Sequence, residues 1–106
     1  MLRTLCLAFL AGVMGANALP HFLSGITARE YPNLTGNSAL RNAVSGWIGL
    51  VIAGALLLWS DPGTHHRTAL TALALGAVVM VVFHARGGAY RLNTRFGRPN
   101  PAAQDR

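Results

Sequence analysis

The stretch that decides the fold, residues 61–88, reads DPGTHHRTALTALALGAVVMVVFHARGG. From Thr64 to Arg86 it has no acidic residue and is mostly apolar. At ~1.5 Å per residue, a helix of this length crosses a hydrocarbon core of ~30 Å. The preceding Asp61-Pro62-Gly63 favours a tight turn, Thr64 is placed to cap the helix, and Gly87-Gly88 is placed to end it.

Two earlier apolar blocks match this one, at about residues 2–20 and 40–60, and a polar, turn-rich loop separates them. The sequence is 52% hydrophobic and only 11% charged, against about 25% charged in soluble domains. A chain of 106 residues is too small to bury such blocks in a soluble core. We therefore predict an all-α membrane protein, a bundle of three transmembrane helices followed by a basic C-terminal tail.

The predicted boundaries place the transmembrane domain at residues 1–88, with spans of about 2–20, 40–60 and 65–86, and the tail at 89–106. Pro20 is tolerated near a helix end, so the first helix could continue past a kink to Ile26. Ser38 is a suitable N-cap for the second helix. The short turn after that helix predicts that the second and third helices are antiparallel neighbours. We expect disorder from Pro99 onward.

The arginines predict the orientation in the membrane. With three spans, one side carries two loop arginines, Arg86 at the end of the last span and four arginines of the tail, and the other side carries Arg3 and Arg67. The positive-inside rule then places the N-terminus outside and the tail in the cytoplasm. The Arg-rich composition without lysine resembles that of a GC-rich bacterial genome, so we expect a bacterial inner membrane. The alternative is cleavage after Ala16-Asn17-Ala18, as in a secretory signal. That would leave two spans and put the tail arginines outside, against the same rule.

Small residues recur at four-residue spacing in each span and predict the packing faces. Helices in lipid associate through close backbone approach, which small side chains allow. The predicted packing residues are Ala8, Gly12 and Ala16 in the first span, Ser45, Gly49 and Ala53 in the second, and Thr68, Ala72 and Gly76 in the third.

Two sets of polar residues are the candidate functional positions. The first is a possible polar cluster at the cytoplasmic ends of the helices: Asn17, His21, Tyr31, Arg41 and His84. Its two histidines could ligate a haem or metal, but no third ligand accompanies them, so we expect interfacial histidines and no cofactor. The second set is expected to bind anionic lipid headgroups: Arg86, Arg91, Arg95 and Arg98.

The spans contain no Asp or Glu, which argues against a proton-coupled exchanger, and Cys6 is the only cysteine, which excludes an internal disulfide. The formal charge of +6 lies mainly in the tail, so it indicates membrane orientation and not nucleic-acid binding. We expect a non-enzymatic structural, accessory or assembly subunit, as a homo-oligomer or beside a larger membrane protein. The alternatives are a homo-oligomeric transporter or channel, and a haem- or metal-binding redox subunit.

One pattern supports a family resemblance over the first half of the chain. It consists of Asn17-Ala18-Leu19-Pro20-His21-Phe22-x-x-Gly25, then Tyr31-Pro32, then Asn42-x-x-x-Gly46-Trp47-x-Gly49. It resembles small uncharacterised bacterial integral membrane proteins. The resemblance implies that the Pro20-His21-Phe22 corner and the following loop form one structural unit, and it implies no activity.

Overall fold

Within the described residues, all regular structure is helical, as predicted. A computed structural model describes residues 1–102 and contains α1 (Leu2–Ile26), α2 (Ala39–Trp59), α3 (His66–Ala85) and α4 (Gly88–Arg95). The first three are long and apolar enough to cross a membrane. The end of the tail, residues 103–106, lies outside the described residues.

The first helix continues through Pro20 and ends at Ile26, well beyond the predicted span of 2–20. Its 25 residues correspond to about 37 Å of helix. The longer helix carries His21 and Phe22 toward the loop that follows, so they belong to the same rigid element as the apolar part of α1.

The helix ends agree with the sequence at α2 and differ at α3. The Ser38 hydroxyl accepts a hydrogen bond from the Arg41 amide at 3.3 Å and caps α2. Thr64 does not cap α3, so that prediction was wrong: His65 is the N-cap residue. The Thr64 hydroxyl donates instead to the Asp61 carboxylate at 3.0 Å, because the turn brings that carboxylate within hydrogen-bonding distance.

The central helix is α1, which packs against both α2 and α3. The prediction that α2 and α3 are neighbours was wrong. Within residues 1–102 they form no extended interface with each other, and Leu57 of α2 approaches α3 only at the cluster of Ala8, Ala69 and Ala72. The physical reason is that α1 carries small residues on two faces, so each partner helix gains a close backbone contact with α1.

On the α3 side, the close contact is reciprocal. A Cβ atom at Gly12 would overlap the Leu73 carbonyl, and one at Gly76 would overlap the Phe9 carbonyl. Ala8 and Ala72 are buried in the same interface. These four residues on α1 and α3 therefore pack as the small-residue pattern predicts, with the two helices running parallel.

On the α2 side, the residues facing α1 are partly different from those predicted. A Cβ at Gly49 would lie 2.7 Å from the Ala18 Cβ, and Ala53 lies 3.5 Å from a Cβ placed at Gly15. The closest approaches also involve Gly25 and Gly46, whose added Cβ atoms would overlap the backbone of the opposite helix. Ser45, Ala16 and Thr68 are only partly buried.

Within residues 1–102, the buried apolar residues of the helices other than glycine are all alanines: Ala8, Ala11, Ala18, Ala69, Ala72 and Ala89. The large apolar side chains point outward, including Trp47, Val51 and Leu58 on α2 and Leu70 and Val81 on α3. This is the reverse of a soluble core and suits lipid, where close packing and not apolar burial holds helices together.

Residues 89–102 of the tail are more ordered than their composition predicts. Gly87 adopts a left-handed conformation with φ 76° and turns the chain from α3 into α4. Pro99, where we expected disorder to begin, offers its carbonyl to the side-chain amides of Asn37 at 2.7 Å and Asn93 at 3.1 Å. Two amide donors hold this segment against the loop, an interaction that composition cannot indicate.

Candidate functional site

A polar network fills one end of the bundle, where α1 ends, α2 begins and α3 ends. Because α1 and α3 run parallel, Asn17 and His84 lie at the same level, and the antiparallel α2 brings Asn42 there. The loop of residues 27–38 supplies Tyr31 and Asn33. The loop is thereby joined by side chains to all three membrane helices.

The centre of the network is Asn42, which is fully buried. Its Nδ2 donates to the carbonyl oxygens of Tyr31 at 2.9 Å, Asn37 at 3.0 Å and Ser38 at 3.1 Å. These carbonyls fix which end of the amide is nitrogen, so Oδ1 must face His21 Nδ1 at 2.7 Å. It follows that His21 Nδ1 carries a hydrogen and donates it, and that Nε2 of a neutral ring holds the lone pair.

His84 has a partner for each ring nitrogen. Nε2 lies 2.9 Å from the Asn17 Oδ1, and Nδ1 lies 3.1 Å from the Tyr31 hydroxyl. Since an amide oxygen only accepts, Nε2 donates to Asn17, and Nδ1 of the neutral ring accepts from the Tyr31 hydroxyl. A metal ion could bind His84 only by displacing one of these bonds.

The aromatic rings of the network pack edge to face. The His21 ring centroid lies 5.1 Å from that of Tyr31 and 5.8 Å from that of His84, and Tyr31 lies 6.0 Å from Tyr90. Burial raises the pKa of the Tyr31 phenol above its ordinary value, and the nearby Tyr90 phenol raises it further. Tyr31 therefore stays protonated and able to donate to His84 throughout the neutral range.

A second layer of amides joins the loop to α2 and α4. Asn33 Nδ2 donates to the Ser45 hydroxyl at 2.9 Å, and the buried Asn93 of α4 donates to the Asn37 Oδ1 at 3.0 Å. In residues 1–102, each buried side-chain nitrogen and oxygen has a hydrogen-bond partner. A network satisfied to this degree is rigid, because moving one member leaves another unpaired.

Four of the five residues predicted as a polar cluster are brought together: Asn17, His21, Tyr31 and His84. Arg41 does not join them. It is exposed, and its guanidinium donates to the Thr35 carbonyl, because its position on α2 faces the loop surface and not α1. Sequence reasoning missed Asn42, although a carboxamide one residue before an apolar run is a recognisable signal.

A cavity of about 160 Å³ opens beside the network and is lined by His21, His84, Asn17, Asn33 and Asn93 together with apolar neighbours. In the described part of the chain, no three His, Cys, Asp or Glu side chains are grouped as metal ligands would be. Of the four ring nitrogens of His21 and His84, three take part in these hydrogen bonds, and His21 Nε2 has no hydrogen-bond partner within residues 1–102. One imidazole nitrogen does not by itself define a metal site, and the cavity suits small hydrogen-bonding molecules such as water.

The four arginines predicted to contact headgroups are all exposed at this same end of the molecule: Arg86, Arg91, Arg95 and Arg98.

No protein-family model, no curated protein and no solved structure matches this chain. Its function therefore has to be argued from the helices, the network and the arginines alone.

Proposed function

We propose that this protein is a non-enzymatic accessory or assembly subunit of a complex in a bacterial cytoplasmic membrane, with its N-terminus outside and its tail in the cytoplasm. The observation that carries the proposal is the self-satisfied polar network. Its amides and imidazoles bind one another and the loop backbone, as in Asn42 and His84. Such an arrangement stabilises a shape and leaves few groups to react with a substrate.

The helix arrangement gives further support. Because α1 lies between α2 and α3 with backbone contacts on both sides, its two helix interfaces are closely packed, which does not favour a solute path through a single chain. The outer surfaces of α2 and α3 carry large apolar side chains, such as Trp47 and Val81. They are available to lipid or to the helices of a larger membrane protein.

The outer face of α2 contains one position suited to a test. A Cβ at Gly54 would meet nothing within 4 Å in its own chain, so a larger residue there should not disturb the fold. A partner helix packed on this face would be displaced by it, because close approach depends on small residues. Gly54→Leu thus separates partner binding from folding.

The experiment is affinity purification of the tagged chain from native membranes in mild detergent. We expect one defined membrane protein at fixed stoichiometry, reduced recovery of that protein with Gly54→Leu, and less assembled partner in cells that lack this chain. Purification of the chain alone as an oligomer that conducts a solute in liposomes would contradict the proposal and indicate a transporter or channel. A stoichiometric haem would indicate a redox subunit.

A further inference from the structure

A groove lies where α3 passes into α4, outside the polar network. It has a volume of about 370 Å³, and its apolar wall consists of Val79, Val82, Phe83 and Leu92. The groove exists because Gly87 turns the chain and Gly88 sits directly against the Phe83 ring, where a Cβ would lie 2.5 Å from Phe83 Cδ2. Any side chain at residue 88 would push α4 away and open the groove.

Three guanidinium groups border the same groove: Arg86, at the end of α3, and Arg91 and Arg95, one turn apart on α4. None of the three forms an ion pair within residues 1–102. The ion pair found in those residues joins Arg3 to Asp61 at the opposite end of the molecule. Three positive charges around one cleft, without a carboxylate partner in that part of the chain, favour a ligand of opposite charge.

The apolar wall and the charged rim follow one another along the axis of α3. Val79 and Val82 belong to the last turns of the membrane helix, and the arginines follow its end. A phospholipid has the same order, with acyl chains below a phosphate. Guanidinium groups bind phosphate through several parallel hydrogen bonds, and basic pockets at the cytoplasmic ends of membrane helices bind anionic headgroups.

We propose that this groove is a binding site for one anionic phospholipid, with its phosphate held by Arg86, Arg91 and Arg95 and an acyl chain against Val79, Val82 and Phe83. The site rests on the proposed contact of the tail with cytoplasmic headgroups. It is more specific than that contact, because a general basic surface needs neither the apolar wall nor this set of arginines. It does not depend on the accessory role.

The test measures lipid retained by the full-length protein. The chain is reconstituted in nanodiscs of phosphatidylglycerol and phosphatidylcholine, transferred to mild detergent, and analysed for bound lipid by native mass spectrometry. The groove variant is Arg91→Gln/Arg95→Gln, and the matched control is Arg29→Gln/Arg41→Gln, which removes the same charge from exposed positions at the same end that do not line the groove. Val82→Trp fills the groove and keeps all arginines.

We expect one retained phosphatidylglycerol per chain and no retained phosphatidylcholine. Retention should fall roughly 30-fold in the groove variant, from ~1 kcal/mol for each arginine near an anionic surface. It should also fall in Val82→Trp and stay unchanged in the control. Equal losses in groove variant and control would refute the groove while leaving the general headgroup contact intact. Unchanged lipid retention in Val82→Trp would refute the acyl-chain contact and with it the proposed site. Displacement of the bound lipid by free glycerophosphate, at a concentration similar to that of phosphatidylglycerol, would refute them as well.

Discussion

The contact between Gly76 of α3 and the Phe9 carbonyl of α1 yields the sharpest prediction about the fold. An alanine Cβ at residue 76 would overlap that carbonyl oxygen and lie 3.1 Å from the Val13 amide nitrogen. Both neighbours are backbone atoms of a helix, so they cannot rotate away. The helices must then separate by roughly 1 Å, and a gap of that size forfeits up to about half of each packing contact it opens.

Overpacking lowers the free energy of unfolding by about 1–3 kcal/mol. The loss is reduced because alanine is ~1 kcal/mol more favourable than glycine in a helix. We expect Gly76→Ala to lower the free energy of unfolding by about 0–2 kcal/mol, and by about 1–3 kcal/mol relative to a variant that gains the same helix propensity without the overlap. Gly54→Ala is the matched control, because no atom of the chain lies within 4 Å of its added Cβ. It should be neutral or slightly stabilising.

The assay is equilibrium unfolding in mixed micelles of mild detergent and dodecyl sulfate, followed by circular dichroism and by the fluorescence of the two tryptophans. A difference of about 2 kcal/mol between the variants corresponds to about 30-fold in the unfolding constant. If Gly76→Ala proves as stable as Gly54→Ala, the close α1–α3 contact does not hold the bundle together. The reasoning about small residues would then be refuted for this protein.

Four further results are expected. A reporter fused to the C-terminus should be cytoplasmic and one inserted at residues 61–64 external; the reverse would invert the proposed orientation. Asn42→Ala should cost about 3 kcal/mol in the same unfolding assay, since it leaves buried carbonyls and an imidazole unpaired; a cost below 1 kcal/mol would mean that water replaces the amide. The free energy of unfolding should fall above about pH 10, because the Tyr31 phenol ionises at lower pH in the unfolded chain than in the folded one. Tyr31→Phe should remove this fall. If the fall persists in Tyr31→Phe, another group causes it. Protein purified from native membranes should contain no stoichiometric metal or haem by elemental analysis and absorption spectroscopy, and a cofactor lost in His21→Gln would overturn the structural interpretation of the histidines.

The candidate site was only partly predictable from sequence. Asn17, His21 and His84 stand out because they lie in apolar blocks long enough to span a membrane or directly beside them, where polar and ionisable residues are rare and tend to be functional. Their shared position at one end of the bundle follows from counting residues along the three spans. Asn42 and Asn93 gave a weaker signal, since asparagine is ordinary near helix ends. Their importance comes from loop carbonyls and from Pro99, which approach them only in the folded chain.

The sequence by itself determined that three helices form and where each lies, because runs of apolar residues as long as a bilayer is thick have no other stable arrangement. It also indicated which helices can pack closely, through small residues such as Gly12 and Gly76. The tertiary structure alone decided that α1 stands between the other two. Connection length limits how far apart two helices lie, but it does not choose the face on which they meet. That choice depends on matching backbone surfaces, and only α1 has small residues facing both partners, with Gly12 toward α3 and Gly25 toward α2.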